Sequence, residues 1–567
     1  MTGTAAAPER PGGHLVAESL AALGAEVAFG VPGVHALSIW DGLRDGPLRT
    51  LALRTELCSG FAADGYARAS GRPVPLVLST GPGALNALTA LMEAASAHVP
   101  VVAISSQEPR ALLGRGRGYL HELRDQLAVF APVVKRAARA ESAEGLPELL
   151  AAAWRIACTP PTGPVYVEIP VDVLEAPTRA PSPEALDGAP PPPSAARPEA
   201  VAEAARLLVA AERPVLWAGG GVERSGAWEE LATLAERLDA PVATTYMGKG
   251  AFPADHPLSA GSGCDEAALQ ALLTGADVVL AVGTELGAET TGQYRLAFSG
   301  RLIHLDAAPE RIGATYPALA LAGDARATLA ALLERLPARG EAERGGPDAV
   351  EDRRGEGGGA GEGGGDGGAA RATAVRARIA RGLDAQPRAL ERGVLDALAA
   401  AAGPDAAIAW DMTILAYWAA AHFDQRRRRG FLYPLGSGTL GYAWPAALGA
   451  QAALPADRVL AVAGDGGVLY ALQELASARQ HGLPATLVIV DDGGYGILRE
   501  YQSDAFGRTH AVDLVQPDFE AVARGFGVPA RACRADGFGD TLAWALALEE
   551  PAVVVLREKL VAAEPTP

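Results

Sequence analysis

Two short segments hold the densest chemistry in the chain. In AVAGDGGVLY, Asp465 stands between Gly464 and Gly466, with Gly467 next, directly after an apolar run. In TLVIVDDGGYGIL, Asp491 and Asp492 close another apolar run and are followed by Gly493, Gly494, Tyr495 and Gly496. One acidic residue at a strand end can simply cap the next helix; two side by side call for positive charge nearby. Glycines at such turns let the backbone approach a ligand closely, and the N-terminus of a following helix favours an anion such as phosphate. Carboxylate and carbonyl oxygens suit Mg²⁺, which keeps phosphate oxygens among its ligands. Between Gly466 and Asp491 lie 24 residues, 467 to 490, room for one helix and one strand. Both loops then emerge at one sheet edge, where Asp465 and the Asp491/Asp492 pair can share a single cation.

The elements that must carry these loops are legible as alternating patterns. Aliphatic runs such as VPLVLST, VPVVAISS, RPVLWAGGG, ADVVLAVGT, RLIHLDAAP, DRVLAVAGDGG, ATLVIVDDGG and PAVVVLRE alternate with alanine-rich helical stretches. Strands apolar on both faces and separated by helices predict parallel sheets covered on each side, and such sheets bind ligands at the carboxyl ends of their strands. Two segments break the pattern: the proline-rich Ala176 to Pro198, and a polar stretch containing GEGGGAGEGGGDGG, Gly355 to Gly368. The second has too little apolar surface to offset chain entropy and is expected to be disordered. Its G-x-G-x-x-G match, Gly359 to Gly364, has no strand before it and is rejected as a dinucleotide site. The expected class is α/β, with three doubly wound parallel-sheet domains. They span 1–175, 199–337 and 386–567, with linkers at 176–198 and 338–385.

The loop pair resembles the signature of thiamine-diphosphate (ThDP) enzymes of the acetolactate synthase and 2-oxo-acid decarboxylase family, Gly-Asp-Gly followed one helix and one strand later by Asn-Asn. The departure is Asp491-Asp492 for Asn-Asn, which keeps the oxygen ligand and adds negative charge beside a diphosphate. The resemblance implies a metal held by Asp465, Asp492 and the carbonyl of Gly494. It implies a cofactor surface that also takes in Gly464, Gly466, Gly467, Tyr495 and Gly496. RTELCSGFAADGYARASGRP with STGPGALNALTAL is similar to the family's pyrimidine-binding domain, and Glu56 falls on the cofactor-activating glutamate. A carboxylate bonded to the pyrimidine ring favours the imino tautomer, whose nitrogen can take the thiazolium proton. In PLGSGTLGYAWPAALGA, Gly438 takes the position whose carbonyl meets the aminopyrimidine, and Leu440 that of the apolar wedge beneath the cofactor. Asp411, Met412 and Thr413 in WDMTILAYW occupy the segment over the cofactor. His121, in GRGYLHELRDQ, stands where acetolactate synthases place a glutamine near the thiazolium; a histidine there fits proton transfer. Gln107 matches a family glutamine near the substrate, although it also reads as a strand-end cap. His121 also reads as a surface loop residue, and Tyr495 as packing.

The resemblance spans nearly the whole chain outside the two linkers. It implies a ThDP- and Mg²⁺-dependent enzyme that decarboxylates a small 2-oxo acid and ligates the product fragment to a second carbonyl compound; the alternative is a simple decarboxylase releasing an aldehyde. Sites shared between subunits imply a homo-oligomer, dimer or tetramer. The middle domain of acetolactate synthases binds FAD, but here SGCDEAA and VGTELGAETTG stand where a Gly-Met-His-Gly turn and an Arg-Phe-Asp-Asp-Arg run are usual. FAD is therefore doubtful. The formal charge of −18 over 567 residues argues against nucleic acid or an anionic membrane as partner. No apolar run approaches the ~20 residues of a membrane span, and MTGTAAAPERPGG does not read as a secretory signal. Cys58, Cys158, Cys264 and Cys533 lie far apart with no metal-type spacing, as expected of a cytoplasmic protein.

Overall fold

The computed structural model describes residues 9–337 and 367–566. They form three six-stranded parallel sheets with helices on their faces, together with a two-stranded antiparallel pair, Arg10–Pro11 with Pro177–Thr178. The N-terminal sheet runs Arg49–Ala52, Val27–Gly30, Val74–Leu78, Val101–Gln107, Val165–Pro170, Arg136–Arg139. The C-terminal sheet runs Phe431–Leu432, Ala407–Trp410, Val459–Gly464, Thr486–Val490, Ala552–Leu556, Ala530–Cys533. Counted in chain order, both sheets read 2-1-3-4-6-5. The central sheet, from Pro214–Ala218 to Leu319–Ala322, reads 3-2-1-4-5-6, the order of dinucleotide-binding folds. Inner strands such as TLVIV and AVVVL are buried along their whole length. Helices cover both faces, and branched aliphatic residues fill a pleated surface from either side.

This order decides where ligands can bind. In a 2-1-3-4-6-5 sheet the connections reverse between strands 1 and 3, which opens a crevice at the carboxyl ends. In the C-terminal sheet that crevice lies between Trp410 and Gly464, flanked by Asp411–Thr413 and Asp465–Gly467. In the N-terminal sheet it lies between Gly30 and Leu78, flanked by the loops containing His35 and Ser79–Gly83.

The chain divides into two compact units. One comprises Met1–Pro191, Leu390–Tyr417 and Arg429–Ala562; the other Pro192–Ala389, Trp418–Arg428 and Ala563–Pro567. The first unit holds both 2-1-3-4-6-5 sheets, joined through the Glu56–Ser70 and Ala443–Ala453 helices. A Cβ on Gly449 would strike the Ala62 carbonyl, and one on Gly65 the Ala446 carbonyl. The two helices thus touch backbone to backbone, which only glycine allows at those positions.

The second unit corrects part of the linker expected at 338–385. Gly368–Asp384 is a helix that buries Ala372, Val375, Ile379 and Leu383. Its Gly368 amide bonds the Asp239 carboxylate (2.7 Å), and Arg376 donates to the Ser259 carbonyl (2.6 Å) on the edge strand. Three- and four-residue apolar spacing is present there, masked by arginine and alanine. The glycine run with its rejected motif at Gly359–Gly364 falls outside the described residues. The proline-rich 176–198 segment forms only the Pro177–Thr178 strand before a helix opens at Pro198. All four cysteines are free of disulfides, and no helix among the described residues is long and apolar enough to cross a membrane.

Candidate active site

The C-terminal crevice brings the two acidic loops together. Asp465 is fully buried at the end of the Val459–Gly464 strand. Its Oδ2 accepts the amides of Gly493 (2.8 Å) and Gly494 (2.9 Å), and its Oδ1 that of Gly466 (2.7 Å). This one carboxylate therefore shapes the Asp-Asp-Gly-Gly loop. Gly494 (φ +147°) leaves no room for a Cβ, which would strike the Val512 carbonyl. Asp492 points its Oδ1 into a buried position where no hydrogen-bond partner meets it. Burial, then the neighbouring Asp492 charge, pushes Asp465 up to about 7. Burial pushes Asp492 up to about 6 against the pull of Arg499. Two crowded carboxylates, one with an orphaned buried oxygen, are what a cation relieves. No group of three or more His, Cys, Asp or Glu side chains converges as a metal centre among the described residues. A cation here would draw on two carboxylates and a backbone carbonyl, and would need further oxygen ligands from a bound group.

Asp491 takes no part in binding the nearby amides. Those amides go to Asp465, and the Asp491 carboxylate takes no hydrogen bond among the described residues; its own amide donates to the Leu556 carbonyl (2.8 Å). Tyr495 lies against Gly466, where a Cβ would come within 2.7 Å of its ring, and so forms the floor of the loop.

The facing loops form a cradle. Asp411 is buried and accepts the amides of Met412 and Gly441, both at 2.9 Å, which ties the segment over the crevice to the glycine turn before Ala443–Ala453. A Cβ on Gly464 would lie 3.2 Å from Thr413 Oγ1, so the two loops are in register across the switch point. Gly438 (φ +66°) is exposed, and only the Met412 methyl, at 4.0 Å, approaches the place of its Cβ. Leu440 is half-buried beside it. Open space at Gly438 and at Gly493 (φ +84°) suits a flat ring at one end and a diphosphate at the other.

The N-terminal crevice gathers the remaining candidates. Thr55 caps the Glu56–Ser70 helix through Cys58 N (3.2 Å). Glu56 Oε2 accepts from Asn86 (3.1 Å), and Glu56 Oε1 would lie 3.3 Å from a Cβ on Gly83. Two residues earlier, Gly81 leaves room for His121, whose Cβ would be 2.9 Å from a Cβ there. His121 has a φ of +67°, uncommon outside glycine, and a buried Nδ1 without a partner. Its ring lies 5.3 Å from that of His35. His35 is buried, also has an unpartnered Nδ1, and is held below its ordinary pKa by burial and by His121. His35 escaped the sequence reading; its signal is a lone histidine in the loop after the first strand of a switch-point sheet.

Gln107 meets the site loop through Thr80. It is buried, its Oε1 accepts from Thr80 (3.1 Å) and from Glu108 N (2.7 Å), and its Nε2 donates to Glu168 (3.1 Å). The strand-end cap describes it, because every polar atom is engaged. Gln126, another residue missed in the sequence, holds the site loop from below: its Oε1 accepts from Gly81 N (2.7 Å) and Thr80 Oγ1 (3.1 Å). No hydrogen bond or ion pair among the described residues joins Glu56 to the Asp465 loop of the same chain.

The chain is similar in sequence to known proteins. Residues 10–129 match the N-terminal TPP binding domain of thiamine pyrophosphate enzymes, 201–332 the central domain and 411–556 the C-terminal TPP binding domain. A probable 2-ketoarginine decarboxylase, AruI, of Pseudomonas aeruginosa is 42% identical over 82% of this chain and 79% of its own length. A probable acetolactate synthase large subunit of Methanocaldococcus jannaschii is 33% identical over 95% of this chain and 90% of its own. The acetolactate synthase large subunit of Corynebacterium glutamicum is 34% identical over 85% and 75%.

Proposed function

The chain belongs to the thiamine pyrophosphate enzyme family, and from that premise we propose that it decarboxylates a 2-oxo acid, with ThDP held through Mg²⁺ at the Asp465–Asp492 edge. The orphaned, buried Asp492 Oδ1 beside a fully buried Asp465 carries the metal half of this reading. Asp465, Asp492 and the Gly494 carbonyl would hold the ion. Gly464, Gly466, Gly467, Gly493 and Gly496 would leave room for the diphosphate, with Tyr495 beneath. Gly438, Leu440 and Thr413 would receive the ring end. When bound, ThDP supplies the carbon nucleophile and the electron sink that lets CO₂ leave. Glu56 would hold a proton against the pyrimidine ring, and a site shared between subunits, as the family resemblance implies, makes the reading include a homo-oligomer. Four unpaired cysteines fit a reducing cytoplasm.

His121 is our ground for ranking two outcomes. A histidine that can deliver a proton at the reacting carbon favours aldehyde release, so we place decarboxylation without ligation first. Ligation to a second carbonyl compound is the second reading, favoured by the acetolactate synthases aligned over most of the chain. We assign FAD no role in either reading, because SGCDEAA and VGTELGAETTG stand where the flavin-binding turns are usual. The test is a panel of 2-oxo acids, pyruvate and 2-ketoarginine among them, with CO₂, aldehyde and ligated product measured, for wild type and His121→Phe. Aldehyde from the wild type and its loss in the variant support the first reading; ligated product from both supports the second. No CO₂ from any substrate refutes both.

A further inference from the structure

The glycine turn that carries Gly438 and Leu440 is held from outside its own domain by a buried charged network. Glu93, fully buried in the Leu88–Ser96 helix, accepts through Oε2 from the Ser437 amide (2.8 Å) and the Ser437 hydroxyl (2.7 Å). Its Oε1 accepts from Arg68 Nη2 (2.8 Å). Arg68 also donates to Asp64 (2.6 Å) and to the Tyr433 carbonyl (3.1 Å), and Asp64 accepts from the Tyr442 hydroxyl (2.6 Å). The segment from Tyr433 to Tyr442 is thus pinned at its start, middle and end by two N-terminal-domain helices, one of which opens with Glu56.

We propose that Glu93 is a positioning residue for the pyrimidine end of the cofactor, acting through Ser437 to fix the Gly438 carbonyl, with Arg68 and Asp64 holding Glu93 in place. This rests on the ThDP reading above. Three points carry it. Ser437 directly precedes Gly438, and its N–H and hydroxyl both go to a single carboxylate oxygen, which fixes the peptide plane entering the turn. Gly438 itself is exposed, with a left-handed φ; its amide donates to the Pro434 carbonyl (2.9 Å) within the turn, and beside the place of its Cβ stands only the Met412 methyl, so the turn leans on its anchors. A carboxylate buried this deeply persists where charge-assisted hydrogen bonds satisfy it, and here those bonds end on the turn. The diphosphate end, at Asp465 and Asp492, belongs to other loops and shares none of these residues.

That separation supplies the test. Binding of ThDP and of inorganic pyrophosphate, both with Mg²⁺, is measured by calorimetry on the full chain for wild type, Glu93→Gln, Ser437→Ala and the double variant, with melting temperature as the check on folding. Gln offers only one acceptor oxygen, so it cannot serve both Arg68 and Ser437. Each single variant is expected to weaken ThDP by about tenfold, the loss of one hydrogen bond to a charged group. The double variant should be no worse than the weaker single variant, and pyrophosphate affinity should not change. Equal loss for both ligands, or unchanged ThDP affinity in Ser437→Ala, overturns the proposal; if Glu93→Gln does not fold, Ser437→Ala and its ligand contrast decide alone. A wild type that binds pyrophosphate but not ThDP would refute the cofactor reading itself.

Discussion

At the scale of single residues, the site turns on which carboxylate does which work. Asp465 organises backbone; Asp492 keeps an oxygen free; Asp491 has neither task. Asp492→Ala should weaken Mg²⁺-dependent ThDP binding more than about 100-fold, beyond the range that outer-shell changes cost, while Asp491→Asn should change it little. Calorimetry with and without Mg²⁺ decides, and the reverse pattern would mean the other aspartate meets the ion. Asp411 offers a pH test. Burial pushes it up to about 6 in spite of the Met412 and Gly441 amides. A folded value above the unfolded one, near 4, means ionisation opposes folding: its contribution is full below about pH 4 and is lost as pH rises through about 6. Relative to wild type, Asp411→Asn should gain about 1–2 kcal/mol in denaturant unfolding between pH 5 and pH 8. A difference independent of pH would contradict this. The acidic loops were legible because strand, glycine and carboxylate follow one another in the sequence. The actual division of labour was not, since it depends on which oxygen reaches which amide across 28 residues of chain.

At the scale of elements, the Glu56–Ser70 and Ala443–Ala453 helices are the spine of the first unit. Their contact runs through glycine and alanine, so the spacing of the two domains is set by missing side chains. Gly449→Val would drive two branches into the Ala62 carbonyl and should destabilise by at least about 1–3 kcal/mol. ThDP affinity should fall with it, since the same helix follows the Gly438 turn. Wild-type stability in urea would show that the helices can part without cost. Strand positions were readable from aliphatic runs, because burial on both faces leaves an unbroken apolar stretch. The Gly368–Asp384 helix was hidden: four buried apolar positions among arginines and alanines give a weak period next to a glycine run. Gln107 stayed open between substrate contact and strand-end cap for a related reason, since nothing local says that Thr80 and Glu168 engage its polar atoms.

At the scale of the whole molecule, the proposed sharing of one site between Glu56 of one subunit and Asp465 and Asp492 of another has a direct assay. Glu56→Gln and Asp492→Ala should each be inactive. Co-expressed, they should recover about a quarter of wild-type activity: half of random dimers are mixed, and each mixed dimer holds one intact site. No recovery would place both residues in one subunit's site. Three sheets and their class were legible from the alternation of strand and helix, while the grouping of Trp418–Arg428 and Ala563–Pro567 with the central unit was not, because no local pattern records a distant packing partner.

The two 2-1-3-4-6-5 sheets match strand for strand. Laid over each other, the third-strand loops pair Ser79–Gly83 with Asp465–Gly467, and the fourth-strand loops pair Glu108 with Asp491–Asp492. One ancestral domain, copied and fused, would leave this trace: a pair of equivalent crevices, one now lined by Asp465 and Asp492 and the other by His35 and the Ser79–Gly83 loop.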